Sequence, residues 1–221
     1  MNNKIGFISG TGPQGKGVAL RLAQAGVKVV IGSRTIEKAK TTADEINKLV
    51  GKNLAMGLDN SKMIKDCDII FLTVPFEHAL ETIETYLPEL QVKSEGIFVD
   101  VTVPLTFNQG KCSVCTLEEE SGIELLRTKV PNQLAMVGAF KTISAEWLND
   151  LTKPLDLTDF IFGDNEAAVN TIVDICYKIL GLQPIRAGDL CTCNVVERMT
   201  AFLINHNKLH KVKHLGFRLQ W

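Results

Sequence analysis

The sequence predicts an α/β fold, a doubly wound and mostly parallel sheet with a small helical element at the C-terminal end. Three observations carry that expectation. Short β-rich runs alternate with helical patterns almost throughout residues 1–188. The early strands are apolar on both faces, as strands covered from both sides must be. A glycine-rich stretch, ISGTGPQGKG at residues 8–17, then overlaps the end of the first strand and opens a helix.

Taken in order, strands are expected at residues 4–9, 28–32, 53–58, 68–74, 96–101, 136–140, 159–163 and 183–186. Helices are expected at 15–25, 35–49, 61–66, 77–87, 116–127, 144–150 and 165–180. Their alternation implies right-handed crossovers between parallel strands. After Gly188 the pattern changes to one long helical stretch, 190 to about 209, with no strand partner. The chain is therefore divided into a nucleotide-binding domain, 1–188, and a small C-terminal cap or dimerisation element, 189–221.

A chain of 221 residues can bury one full core and leave a small appendage. With 45% hydrophobic and 22% charged residues its composition is that of a globular protein. A formal net charge of −1 supplies no general field for nucleic acid or an anionic membrane. The one basic cluster, Lys208, His210, Lys211, Lys213 and His214, reads first as a solvated helix end and second as an anion contact. No apolar run approaches the roughly 18 residues of a membrane span. The start, MNNKIGFISG, lacks the apolar core and cleavage site of a signal peptide. The expectation is a cytoplasmic protein whose six cysteines are reduced.

Gly10-x-Gly12-x-x-Gly15 has the context a dinucleotide loop requires, a strand before it and a helix after it. Gly10 allows the tight turn, and Gly12 lets the backbone approach a pyrophosphate. Gly15 lets the helix pack closely and aim its N-terminal N–H groups at the phosphates, as in a Rossmann fold. A bare strand-to-helix turn would use the same glycines without a ligand.

The second strand chooses the cofactor. An NAD site has an acidic residue at its tip to hold the ribose hydroxyls. Here the strand ends in Ser33-Arg34, with Lys38 one helical turn on. An arginine fork suits a 2′-phosphate, which an aspartate would repel. Thr11 and Ser33 can add hydroxyl donors. Mere decoration of a helix start explains the two cations poorly, because cations there oppose the macrodipole. NADP(H) is the expected cofactor.

These residues, together with Thr73-Val74-Pro75-Phe76-Glu77-His78 and Val103-Pro104, resemble the NADPH:coenzyme F420 oxidoreductases over nearly the whole chain, most strongly over residues 4–80. The resemblance implies 2′-phosphate contacts at Thr11, Ser33, Arg34 and Lys38, and loop contacts at Pro13 and Gln14. It implies further dinucleotide contacts at Val74, Pro75 and Val103, and a 5-deazaflavin as hydride acceptor. Two stretches depart from the family. Its His-Thr-Ile-Pro stretch reads Lys141-Thr142-Ile143-Ser144 here, and an arginine at the start of the C-terminal helix reads Asn194.

Several residues lie outside the fingerprint. His78 and Lys141 each follow a strand at the carboxyl edge and are the candidates for a catalytic or acceptor-binding role. Lys141 is expected either to meet an anionic acceptor or to lie on the surface. Glu77 suits a helix N-terminus. Cys112-x-x-Cys115 and Cys191-x-Cys193 are read as unliganded thiols, with no metal. Cys67 and Cys176 read as core residues, and Trp147 as a packing residue. Val195, Val196, Met199, Phe202, Leu203 and Leu209 give the last helix more apolar surface than a lone appendage exposes, so a homodimer is expected.

Three functions fit. The first is hydride transfer between NADP(H) and a second redox cofactor, in a cleft between the sheet's carboxyl edge and the last helix. The second is an NADPH-dependent reductase of another acceptor, such as a flavin, a ferric chelate, or a small carbonyl or imine. Known carbonyl and imine reductases add a large helical domain, for which few residues remain after Gly188. The third is a non-enzymatic NADP-binding sensor.

Overall fold

The computed structural model describes residues 3–220. Its central sheet has eight strands: β1 (Ile5–Ile8), β2 (Val29–Ser33), β3 (Ala55–Asp59), β4 (Ile69–Leu72), β5 (Gly96–Asp100), β8 (Leu134–Gly138), β9 (Leu157–Phe162) and β10 (Leu182–Gly188). A separate hairpin is formed by β6 (Leu105–Asn108) and β7 (Lys111–Val114). The sheet order is β10-β9-β8-β5-β4-β1-β2-β3, and every ladder is parallel except β8–β9. The order reverses between β1 and β4, and a ligand crevice is expected at the carboxyl ends there.

The strands are buried on both sides because each face is covered by helices. On one face Phe7, Phe71, Val99 and Val137 pack with α1 (Pro13–Gln24), α2 (Ile36–Val50) and α8 (Glu166–Cys176). On the other, Ile8, Ile70, Leu72 and Phe98 meet α3 (Asn60–Asp66), α4 (Ala79–Thr85), α5 (Leu87–Gln91), α6 (Gly122–Arg127) and α9 (Cys193–His210). Cys67 and Cys176 lie within these two clusters.

Side-chain caps fix several helix starts. Asp59 accepts the Lys62 N–H at 2.9 Å, and Asn165 accepts that of Ala168 at 2.9 Å. The helix expected over 116–127 begins only at Gly122, after three consecutive acids, where the Ser121 hydroxyl caps the helix by accepting the Glu124 N–H and donates to the Glu124 carboxylate. The helix expected over 77–87 is instead a 3₁₀ turn, Phe76–His78, followed by α4 and α5, with Pro88 opening the latter. A short α7 (Ala145–Asn149) starts at Ser144, whose hydroxyl accepts the Trp147 N–H. The buried guanidinium of Arg21 donates to the carbonyls of Trp147, Leu148, Asp150 and Lys153, fastening α7 to α1.

The hairpin is the element the sequence did not announce, and it corrects the expectation that α9 has no strand partner. Each strand has four residues, mostly exposed, too short for a period-2 signal. Gln109 and Gly110 both take positive φ, 45° and 77°, as a two-residue hairpin turn requires. Asn205 of α9 clamps β7 by accepting the Cys112 N–H at 2.8 Å and donating to its carbonyl at 2.7 Å.

Beyond α9 the chain crosses back to the sheet. The Thr158 N–H donates to Phe217 O at 2.7 Å, and the Leu219 N–H to the Thr158 hydroxyl at 2.9 Å. This segment fills a seam left because β8 and β9 meet only at Gly138 and Phe162.

Candidate active site

The glycine loop sits at the reversal in strand order, and its three glycines have three different surroundings. The Gly10 N–H donates to Gly32 O at 2.9 Å, joining the loop to the tip of β2. A Cβ on Gly15 would lie 2.5 Å from Thr73 Oγ1 and 2.9 Å from Gly10 Cα, so α1 packs here only without a side chain. A Cβ on Gly12 would meet nothing nearer than Ser9 O at 3.9 Å. Gly12 has an ordinary φ of −74°, so its missing side chain serves open space and not the backbone. That is room for a ligand above the N-terminus of α1, where N–H groups and dipole favour a phosphate.

Ser33 is buried at the end of β2, and its hydroxyl accepts the Thr35 N–H at 3.2 Å. Arg34 and Lys38 are exposed, and neither forms an ion pair with the described residues. Thr11, half-buried, lies in the loop that the Gly10–Gly32 bond brings to this tip. Asn60, which sequence reasoning missed, locks the corner: its Oδ1 accepts the Ser9 N–H at 3.1 Å, and its amide donates to the Tyr86 hydroxyl at 2.9 Å.

From the loop a cleft of about 970 Å³ runs along the carboxyl edge. Gly12, Pro13 and Gln14 form one end; Val74, Pro75 and Val103 follow β4 and β5; residues 140–145 follow β8. The opposite wall comes from the hairpin (Leu105, Phe107) and from α9 (Thr200, Leu203, Ile204, Asn207), with Leu215 beyond it. Gln14 spans the floor, its amide donating to the carbonyls of Phe140 and Ile143 at 3.2 Å each. The Thr142 hydroxyl in this wall is buried and has no hydrogen-bond partner among the described residues.

The two candidates for chemistry fall elsewhere. His78 has a side chain 59% exposed, stands 3.6 Å from Glu77, and is absent from the cleft lining, which Glu77 joins. Lys141 corrects both expectations made for it: it is neither on the surface nor free to meet an anion. Its side chain is wholly buried, and its ammonium donates to Asp100 Oδ2 at 2.6 Å and to Thr102 O. Burial works against its charge, but Asp100 and Glu197 more than offset this and raise its pKa. Only its main chain faces the cleft. A lysine without solvent is rare enough that sequence alone gives no reason to expect it.

The cysteine pairs are not brought together as a metal site. Cys112 is buried in the hairpin, Cys193 donates to Glu197 Oε1 at 3.2 Å, and exposed Cys191 donates to Asp189 at 2.9 Å. Among the described residues no group of three or more His, Cys, Asp or Glu could hold a metal ion, and no helix is long and apolar enough to cross a membrane. Trp147 packs half-buried against the core, with Lys153 above its ring at 4.1 Å.

A doubly wound sheet, a glycine-rich strand-to-helix loop at its switch point and a long cleft on its carboxyl edge define a Rossmann fold; the relatives make the class an NADP oxidoreductase. Residues 4–104 match the model of the coenzyme F420-dependent NADP oxidoreductases. The F420-dependent NADP reductases of Methanothermobacter thermautotrophicus and Methanocaldococcus jannaschii are each 32% identical over 98% of this chain, covering 94% and 97% of their own lengths. The chain belongs to the F420-dependent NADP reductase family. The same fold occurs in a candidate F420-dependent NADP reductase of an Arthrobacter species, with a TM-score of 0.78 at 19% identity over 99% of this chain and 100% of that one. An imine reductase of a Pseudomonas species shares it at a TM-score of 0.61 and 15% identity, but the match spans only 63% of that longer chain.

Proposed function

We propose that the protein transfers hydride between NADP(H) and coenzyme F420, both held in the one cleft. The observation that carries this reading is the continuity of that cleft, from the open space over Gly12 to the wall formed by α9. The 2′-phosphate is assigned to Thr11, Ser33, Arg34 and Lys38, and the pyrophosphate to the loop Gly10–Gly15. The rest of the dinucleotide lies along Val74, Pro75 and Val103. A planar deazaflavin suits the apolar walls at Leu105 and Leu203. The redox chemistry is the cofactors' own; the chain's part is to bring two rings into register and to exclude water. A catalytic acid or base is not needed for that part.

The test is NADPH oxidation followed spectrophotometrically with coenzyme F420, FMN, FAD, quinones and ferric chelates offered in parallel. Turnover with the deazaflavin is expected. A protein that binds NADPH but passes hydride to none of these would be a sensor. Replacement of the family's histidine by Lys141 favours keeping the other acceptors in the screen.

The reading includes a cytoplasmic homodimer. Val195, Phe202 and Leu209 stand exposed along α9, and Phe107 is exposed on the hairpin. A monomer by light scattering at micromolar concentration would remove the dimer.

A further inference from the structure

One wall of the cleft is the carboxyl edge of β5 and β8. In the opposite wall the hairpin is joined to β5 by residues 101–104, whereas α9 enters from β10 at the far edge of the sheet. The distance of α9 from the carboxyl edge is therefore set by side-chain contacts, among them the Asn205 clamp on the hairpin. Apolar contacts from Val196 and Leu203 contribute, but such contacts are non-directional and tolerate sliding.

The directional part centres on Lys141. Besides Asp100 at the end of β5 and Thr102 O in the next turn, its ammonium stands 3.5 Å from Glu197 Oε1 on α9. The other oxygens are taken as well. Asp100 Oδ1 accepts the N–H and hydroxyl of Thr102 at 2.9 and 2.7 Å, and Glu197 Oε2 accepts the Gly122 N–H at 3.0 Å. Cys193 Sγ donates to Glu197 Oε1, so both carboxyls face donors only. A second tie runs from the same helix, the Thr200 hydroxyl donating to Lys141 O at 2.9 Å.

We infer that Lys141 is a positioning residue: the ion cluster it centres holds α9 at a fixed distance from β5 and β8 and so sets the gap that receives the acceptor ring. This rests on the reading that the acceptor lies in this cleft. A buried ion cluster adds little net stability, because desolvation offsets the Coulombic gain. Its worth lies in geometry. Reacting carbons must meet at about 3–3.5 Å, and a displacement of about 1 Å costs on the order of a hundredfold in rate. Among the described residues the glycine loop and the tip of β2 make no hydrogen bond to the cluster's charged atoms; the loop reaches this region only through Gln14, on the carbonyls of Phe140 and Ile143.

The experiment compares wild type, Lys141→Met, and Lys141→Met with Glu197→Gln. The single variant leaves two buried carboxylates without a cation, and a loss of thermal stability is expected. The double variant removes one of those charges and recovers stability without restoring the tie. In both, the NADPH Kd from titration calorimetry stays within about twofold of wild type. The kcat with coenzyme F420 falls by about tenfold or more, and the acceptor KM rises. Wild-type acceptor kinetics in either folded variant would overturn the inference, as would joint recovery of stability and kcat in the double variant. Should the single variant not fold, the double variant decides by the same kinetics. A wild type that binds NADPH but does not reduce coenzyme F420 would instead defeat the functional reading, and this inference with it.

Discussion

The two halves of the cleft are built on opposite plans. The half proposed for the dinucleotide is made of absences and free charges: a glycine that leaves room, N–H groups at a helix start, and two cations with no ion-pair partner among the described residues. The half proposed for the acceptor is made of committed groups, in which Lys141, Asp100, Glu197 and Asn205 all spend their polar atoms on the protein itself. A half that binds a fixed polyanion keeps its charges available. A half that must orient a ring uses its polar atoms to hold walls still.

The largest test of this contrast is Gly12→Val. The backbone there is ordinary and the space is open, so the variant should fold with an unchanged melting temperature yet show no NADPH binding by titration calorimetry. Retained affinity in a folded variant would mean that the open space is not the ligand's. Next comes Arg34→Ala. A charge-assisted phosphate contact contributes about 1.5–3 kcal/mol, so NADPH should bind about tenfold or more weakly while NADH changes by less than about twofold. Equal losses for the two would break the 2′-phosphate assignment.

A pH experiment probes the committed half. Asp159 is buried at the β8–β9 seam, and its carboxylate accepts the Phe140 N–H at 2.9 and 3.0 Å. Burial pushes its pKa up to about 7 from 3.8, against the pull of the Phe140 and Phe160 N–H groups. Between those values the folded chain keeps a proton that the unfolded chain has released, so this group's stabilisation is lost as pH rises from about 4 to about 7. Melting temperatures of Asp159→Asn should fall less over that range than those of wild type; parallel curves would refute the assignment. The smallest effect belongs to His78→Ala. An exposed side chain outside the lining should leave kcat/KM within about twofold, and a tenfold loss would return His78 to the site.

The same contrast explains what could be read from the sequence. The parallel strands and their helices were legible because burial on both faces writes continuous apolar runs, and the glycine turn between β1 and α1 because its glycines are local. The bounds of all eight strands of the main sheet fall within two residues of expectation, β8 being displaced by two at both ends, to Leu134–Gly138. The acceptor half is assembled from residues far apart in the chain. Lys141 meets partners 41 and 56 positions away, and nothing local marks which of 24 cations will be buried. The hairpin escaped for a different reason: its strands are short and its outward residues are polar or exposed. The single antiparallel register at Gly138 also has no local signature.

The returning segment at Phe217 and Leu219 has a temporal consequence. Thr158 lies in β9, but the groups that complete its hydrogen bonds are about 60 positions downstream. While the chain is being synthesised the seam between β8 and β9 stays open, with its backbone donor unsatisfied, until that segment has left the ribosome. Assembly of this seam thus waits on residues about 60 positions downstream, and a nascent chain halted before residue 217 presents an unfinished strand to its surroundings.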